Sequence, residues 1–338
     1  MQDGANMTGS MLDLPSADST AVFAPGFGQR VLLTVDTEEE FDWNAPFQRD
    51  GYGLSHVAAI PRFQSFCEMI GARPVYLVDW PIANDPQAVE IIGDAVRRGA
   101  AEIGVQLHPW VNPPFDEAVG TRNSFAGNLA PALEAAKFTL LRDRIETAFG
   151  TAPLIYRAGR YGLGPHTAGL LRDAGIRIDT SVRSLFDYSV GGGPDYSHHP
   201  LAPYWVDRDH QLLELPVTTT YSGALRRIGP LLHRVQRHVP TMFSGFSRFG
   251  LLERIALTPE GVTVAEAIRG IDIAVDSGLP MLVLSFHSPT LAPGHTPYAK
   301  DEAAVDALYD WFAAIYAALD QRGVRTTTVS EIIVASRG

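Results

Sequence analysis

Short runs of consecutive apolar residues alternate, from residue 31 to near the C-terminus, with longer segments whose apolar positions recur every third or fourth residue. The short runs predict buried strands at 31–35, 75–78, 102–107, 154–157, 176–179, 212–215, 281–286 and 325–329. The longer segments predict amphipathic helices. Val57, Ile60, Phe63, Cys67 and Ile70 form one stripe, ended by Gly71 and Pro74. Asp85-Pro86 opens a second helix, a capping carboxylate before a proline at the first helical position. Leu133, Ala136, Leu140, Leu141, Ile145 and Phe149 form a third, closed by Gly150, and Leu170, Leu171 and Ala174 run into Gly175. Asp301 caps a long helix with Val305, Leu308, Phe312, Ile315 and Leu319 inward, stopped at Gly323.

Strand and helix in alternation imply βαβ units and a mostly parallel sheet, and seven or eight units favour a barrel over an open sheet. The expectation is therefore an α/β fold, a distorted (β/α)7–8 barrel in one domain over 29–338. A loose leader is expected at 1–28. An elaboration at about 183–262, opened by a Gly-Gly-Gly-Pro-Asp loop and ending in Arg- and His-rich helical material, reads as a lid or a homo-oligomer contact.

Composition narrows the function. The 338 residues are 46% hydrophobic and 19% charged, ordinary for a packed globular chain. A net charge of −11 argues against nucleic acid and anionic membrane as partners and fits a neutral or cationic substrate. Cys67 is the only cysteine, so neither an intrachain disulfide nor a thiolate zinc cage can form. No apolar run is long enough to span a bilayer. The first 29 residues lack Lys, Arg and a long apolar core, so no secretory signal is read there and a cytoplasmic location is expected.

Candidate chemistry gathers at the strand ends, where α/β folds place their sites. Thr34-Val35-Asp36-Thr37-Glu38-Glu39-Glu40 follows the first strand. Period two puts Asp36 and Glu38 on one face, one to take a proton and the other to bind metal, while Glu39 and Glu40 read as a solvated acidic loop. Gln106 and His108 share a face at the end of 102–107, and imidazole beside a carboxylate suits a metal such as zinc. The Pro109-Trp110 segment after them reads as a pocket wall. His287 ends 281–286, placed for general acid or base work. Arg157 opens Arg157-Ala158-Gly159-Arg160-Tyr161 and could hold a neighbouring carboxylate ionised. Glu214, before Pro216, is a further strand-end acid. His198 and His199 are adjacent and point apart. No nucleophile elbow, phosphate loop or His-Glu-x-x-His helix is present.

Taken in order, these segments resemble the polysaccharide deacetylases of carbohydrate esterase family 4 (the NodB homology group), from about residue 31 to 334. Thr34-Val35-Asp36-Thr37-Glu38 resembles the first motif, Glu102 to His108 the second, Arg157 to Tyr161 the third, and Leu284-Ser285-Phe286-His287 the last. His-Pro-Trp after the second motif and His-Ser-Pro at the last are most similar to the WalW-like subgroup. The resemblance implies Asp36 as base, His287 as general acid, Arg157 as the arginine beside the base, and Trp110, Tyr161 and Glu214 against substrate. A divalent metal, zinc by preference, would be held by Glu38, His108 and Gln106. The motifs depart from the family: Thr37 stands where a second acid is usual, and Gln106 and Trp110 stand where two histidines are usual.

The expected activity is hydrolysis of a C–N amide bond on an N-acetylated sugar or a related small amide. Three rivals stay open: a non-catalytic carbohydrate-binding relative, a metal-free allantoinase-like amidohydrolase, and a glycosidase using Asp36 and Glu214.

Overall fold

The computed structural model describes residues 9–42, 45–223 and 252–337. The expected strands form as β1 (Arg30–Thr37), β2 (Val75–Val78), β3 (Glu102–Leu107), β4 (Ile155–Ala158), β5 (Ile178–Asp179), β7 (Leu213–Glu214), β10 (Met281–His287) and β11 (Arg325–Thr326). Three short strands lacked a signal in the sequence: β6 (Tyr204–Trp205), β8 (Thr219–Ser222) and β9 (Glu253–Ala256). The sheet runs β10-β1-β2-β3-β4-β5-β7-β6, parallel until β6 turns antiparallel to β7. β11 pairs with the start of β1, and β2 with its end.

The sheet curls without closing into a ladder-bonded ring, giving a mixed α/β fold with a half-barrel sheet. Backbone bonds from Thr218 to Val283 and from Ser285 to Leu257 tie the β8–β9 ribbon to the outer edge of β10. The expected distorted barrel is borne out as a curled half-barrel whose last contacts are isolated bonds. The Arg- and His-rich stretch of the 183–262 elaboration lies largely outside the described residues.

Period two sorts each strand. Val31, Leu33 and Val35 join Leu282, Leu284 and Phe286 in a large outer core shared with the helices. These helices are α1 (Ile60–Met69), α2 (Trp80–Asn84), α3 (Pro86–Arg97), α4 (Pro131–Phe149), α5 (Thr167–Asp173), α6 (Val264–Asp276) and α7 (Glu302–Gln321). Their signals hold: Asp85 accepts from the Ala88 N–H at 2.7 Å, and Gly150 ends α4 at φ 68°. The opposite parity, Leu32, Val75, Leu77, Ile155, Ile178, Leu213, Met281 and Val283, packs inside the curl. Val329 and Ile332 of α8 (Val329–Ala335) close its floor. Toward the strand C-termini the inner face turns polar, through Thr34 and Ser285 to Asp36, Gln106, Arg157 and His287. That face is where the site forms.

Within the expected leader, residues 9–28 pack against the fold. Met11 and Ala21 are buried, Thr20 bridges Tyr204, and the Ala24 N–H bonds the carbonyl of Ala335. This segment covers the sheet edge at β6.

Candidate active site

Asp36 and His287 face each other because β1 and β10 pair in register at those two residues. The ring Nε2 of His287 lies 3.8 Å from Asp36 Oδ2. Each is gripped from behind by a charge of opposite sign. Arg157, from β4, bonds Asp36 through Nη1 and is 1% exposed. Its remaining N–H groups meet Ser285 Oγ at 2.7 Å, Thr34 Oγ1 at 2.9 Å, and the carbonyl and Oγ1 of Thr180 at 3.0 and 3.3 Å. All five guanidinium donors are used, so this arginine cannot swing away from Asp36.

His287 is held by Glu260, a residue the sequence left unmarked. Glu260 Oε2 lies 2.7 Å from ring Nδ1, while Oε1 accepts from the His287 N–H at 3.1 Å and from Thr290 at 2.6 Å. Burial pushes the imidazole pKa down, but Glu260, Glu38 and Asp36 outweigh it and raise it to about 10. Burial likewise pushes Glu260 up, and its bonds to His287 and Thr290 bring it below the ordinary value. A carboxylate locked by a guanidinium thus faces an imidazolium locked by a carboxylate: one can accept a proton, the other can donate one.

Beyond Thr37 the chain leaves the strand, and both Glu38 and Glu39 turn inward. The expected solvated loop is corrected at Glu39, which is 0% exposed. Glu39 accepts from Trp110 Nε1 at 2.7 Å and lies 2.9 Å from His108 Nδ1, and its N–H bonds Asp79 at 2.9 Å. Asp79 also caps α2 through the Ile82 N–H. Burial pushes both acids up, Asp79 strongly. Glu40 also turns from solvent, to His56 Nδ1 at 2.9 Å.

Two loci could therefore engage a cation, one on each side of the His108 ring. Glu39, Asp79 and His108 Nδ1 bring ligand atoms within 4.8 Å of one another. On the pocket side, His108 Nε2 lies 3.4 Å from Glu38 Oε2, and Gln106 Nε2 donates to that same oxygen at 3.1 Å. The inner trio is already satisfied by its own bonds. The pocket side is not: Gln106 Oε1 is buried without a partner, and burial drives Glu38 up to about 8. A spacing of 3.4 Å also matches the edge of a tetrahedron with bonds of about 2.0–2.1 Å. An imidazole whose far N–H is held by a carboxylate is the usual support for a metal-bound histidine. The pocket-side donors fit a divalent cation.

A cavity of about 320 Å³ opens over Asp36, Glu38, Gln106, His108, Arg157 and His287, walled by Phe41, Phe47, Trp110, Tyr161 and Tyr188. The expected residues Asp36, Arg157, His287, Glu38, His108, Gln106, Trp110 and Tyr161 thus meet in one place. Trp110 stacks on His108 at 4.3 Å and offers no ligand atom. Glu214 is the exception and corrects the expected substrate contact. Leu213 and Leu215 take the inner parity, so Glu214 falls on the outer one, 0% exposed, paired in register with Asp179, and burial raises its pKa strongly. The pairing of Asp36 with Glu214 across a glycosidic bond loses its support with it.

No protein-family model matches this chain, and no curated protein does. Among solved structures, the chain is similar to a protein from Mycobacterium smegmatis proposed to be a polysaccharide deacetylase. The TM-score is 0.52 at 21% identity, over 96% of this chain and 95% of that one. It is also similar to the 4-alpha-glucanotransferase of Thermococcus litoralis, with a TM-score of 0.52 at 13% identity, over 91% of this chain and 40% of that one. At such identities the likeness establishes the fold, and the chemistry must be argued from the site.

Proposed function

We propose that this chain hydrolyses a C–N amide bond, removing the acyl group from an N-acetylated sugar or a related small amide. The observation that carries the reading is the opposed pair: Asp36 clamped by Arg157, 3.8 Å from His287 clamped by Glu260, beneath an aromatic-walled cavity. Asp36 takes a proton from water as its oxygen bonds the acyl carbon. His287 gives a proton to the nitrogen as the C–N bond breaks, so an acid and an amine leave. Glu38, His108 and the carbonyl of Gln106 would hold a divalent cation, zinc by donor chemistry, which polarises the acyl carbonyl and lowers the pKa of bound water. Arg157 orients Asp36, and Trp110 and Tyr161 wall the cavity that would take a sugar ring.

The second reading is a metal-free hydrolase of a small amide. It is favoured by one observation: Trp110, an indole that can only donate, offers no ligand atom and leaves the cation with few protein ligands. Metal analysis after zinc loading and desalting separates the readings. Near one equivalent retained, lost in His108→Ala and Glu38→Gln but kept in Asp79→Asn, supports the pocket-side site. Loss in Asp79→Asn with retention in Glu38→Gln moves the cation to the inner trio. Asp36→Asn should abolish hydrolysis while leaving the circular dichroism unchanged, and retained turnover sinks the assignment.

A further inference from the structure

Two more arginines line the same cavity, and nothing in the proposed reaction uses them. Arg160 and Arg183 come from the turns after β4 and β5. The Arg160 guanidinium lies over Phe125 at 4.2 Å and Phe47 at 5.0 Å and donates to Ser124 Oγ. That of Arg183 lies over Phe186 at 4.0 Å and Tyr161 at 5.3 Å, 3.4 Å from the Tyr188 hydroxyl, with its Nε–H buried and unpartnered. Arg157, by contrast, has every donor filled and a carboxylate in hand. Among the described residues no carboxylate lies within 4.0 Å of either Arg160 or Arg183. The acid whose charge reaches Arg183 is Glu260, and that carboxylate is taken by His287 and Thr290.

Half-buried arginines are ordinarily paired, because desolvating an uncompensated cation is costly. Here aromatic rings pack against both guanidinium groups, their centroids 4.0 to 5.3 Å from the central carbons, in place of a paired carboxylate. The backbone at this wall is also strained: Arg160 and Tyr161 follow one another at φ 55° and 60°, a region non-glycine residues avoid.

We propose that this basic wall binds an anionic substituent, phosphate or carboxylate, on the molecule whose amide is presented to Asp36 and His287. The location of the amide rests on the hydrolase reading above; the anion contact does not. Locally the pocket has an acidic end and a basic end, against the inference of a neutral or cationic substrate drawn from a net charge of −11.

The test is calorimetric binding of three probes, N-acetylglucosamine, N-acetylglucosamine 6-phosphate and N-acetylmuramic acid, with turnover of each followed separately. The charged sugars should bind on the order of tenfold more tightly than the neutral one, with the advantage shrinking as salt rises. Arg160→Gln and Arg183→Gln should each weaken the charged probes about tenfold more than the neutral one. Should either Gln variant lose its fold, Arg160→Lys and Arg183→Lys serve instead, keeping the charge and losing only the bidentate part of the advantage. Preference for phosphate over carboxylate identifies the substituent. Equal binding of all three probes, no binding of any, or equal losses across them in the variants overturns the inference and leaves the arginines as a structural wall. Charge discrimination without hydrolysis overturns the hydrolase reading alone, whereas hydrolysis without discrimination overturns the anion alone.

Discussion

His287 is held between opposing influences: burial disfavours its charge, and three carboxylates, Glu260 nearest, restore it to a pKa of about 10. Because the folded value is raised, the stability it lends is full below the ordinary imidazole pKa of about 6.5 and is lost as pH climbs through about 10. If the imidazolium is the proton donor, activity falls on that same alkaline side. Glu260→Gln removes the largest raising influence, so the alkaline limb of kcat/KM should move to lower pH; an unmoved limb would show that another group sets it. Asp36, Arg157 and His287 were legible in the sequence because each continues the alternation of an apolar run. Asp79 carries that signal too, following Val75 and Leu77 at the same parity. Glu39 does not, since the strand ends at Thr37 and alternation no longer says which way a side chain turns. Glu260 does not either. It lies 27 residues before the histidine it holds, in an irregular segment, and only the folded chain brings the two together.

Elements transmit this order through close approach. Gly159 follows β4, and a Cβ there would stand 2.4 Å from the His108 ring and 2.6 Å from the carbonyl of Leu107. Neither the backbone nor a ring wedged between Glu38, Glu39 and Trp110 can yield cheaply. Gly159→Ala should therefore cost metal retention or turnover at least tenfold while the far side of the sheet stays ordered, and wild-type behaviour of that variant would mean the β4 turn is softer than its packing implies. Helix ends are a separable matter. Asp301 Oδ1 accepts the Ala304 N–H at 2.9 Å at the start of α7, remote from the cavity. Asp301→Ala should lower stability to urea by about 1 kcal/mol with kcat unchanged. These caps and stripes were readable because they depend on residues three or four apart. The two-residue strands β5, β6, β7 and β11 were read too long or missed, since long-range pairing decides their extent.

Closure of the whole sheet follows the same logic. Counting strand–helix units suggested a barrel, and how far a sheet closes depends on contacts between chain segments far apart, here isolated bonds from the Thr218 N–H to Val283 and from the Ser285 N–H of β10 to the Leu257 carbonyl. The packing of residues 9–28 on the β6 edge was equally hidden, because β6 itself had no signal. What the complete fold does create is a pair of buried carboxyls, Asp179 and Glu214, on the outer parity behind Arg157. Burial is the first cause raising both, and Glu214 is raised strongly, so the folded protein holds a proton that the unfolded chain releases near pH 4. The sign follows: this pair favours folding below that range and opposes it progressively as pH rises toward the folded pKa. Glu214→Gln keeps a donor toward Asp179 and removes the ionisation. Its melting temperature relative to the wild type should therefore climb as pH rises from 5 through neutrality, with turnover nearly unaffected because Glu214 does not line the cavity. A difference that stays constant with pH would mean the two carboxyls share no proton, and a variant with lost turnover would restore Glu214 to the site.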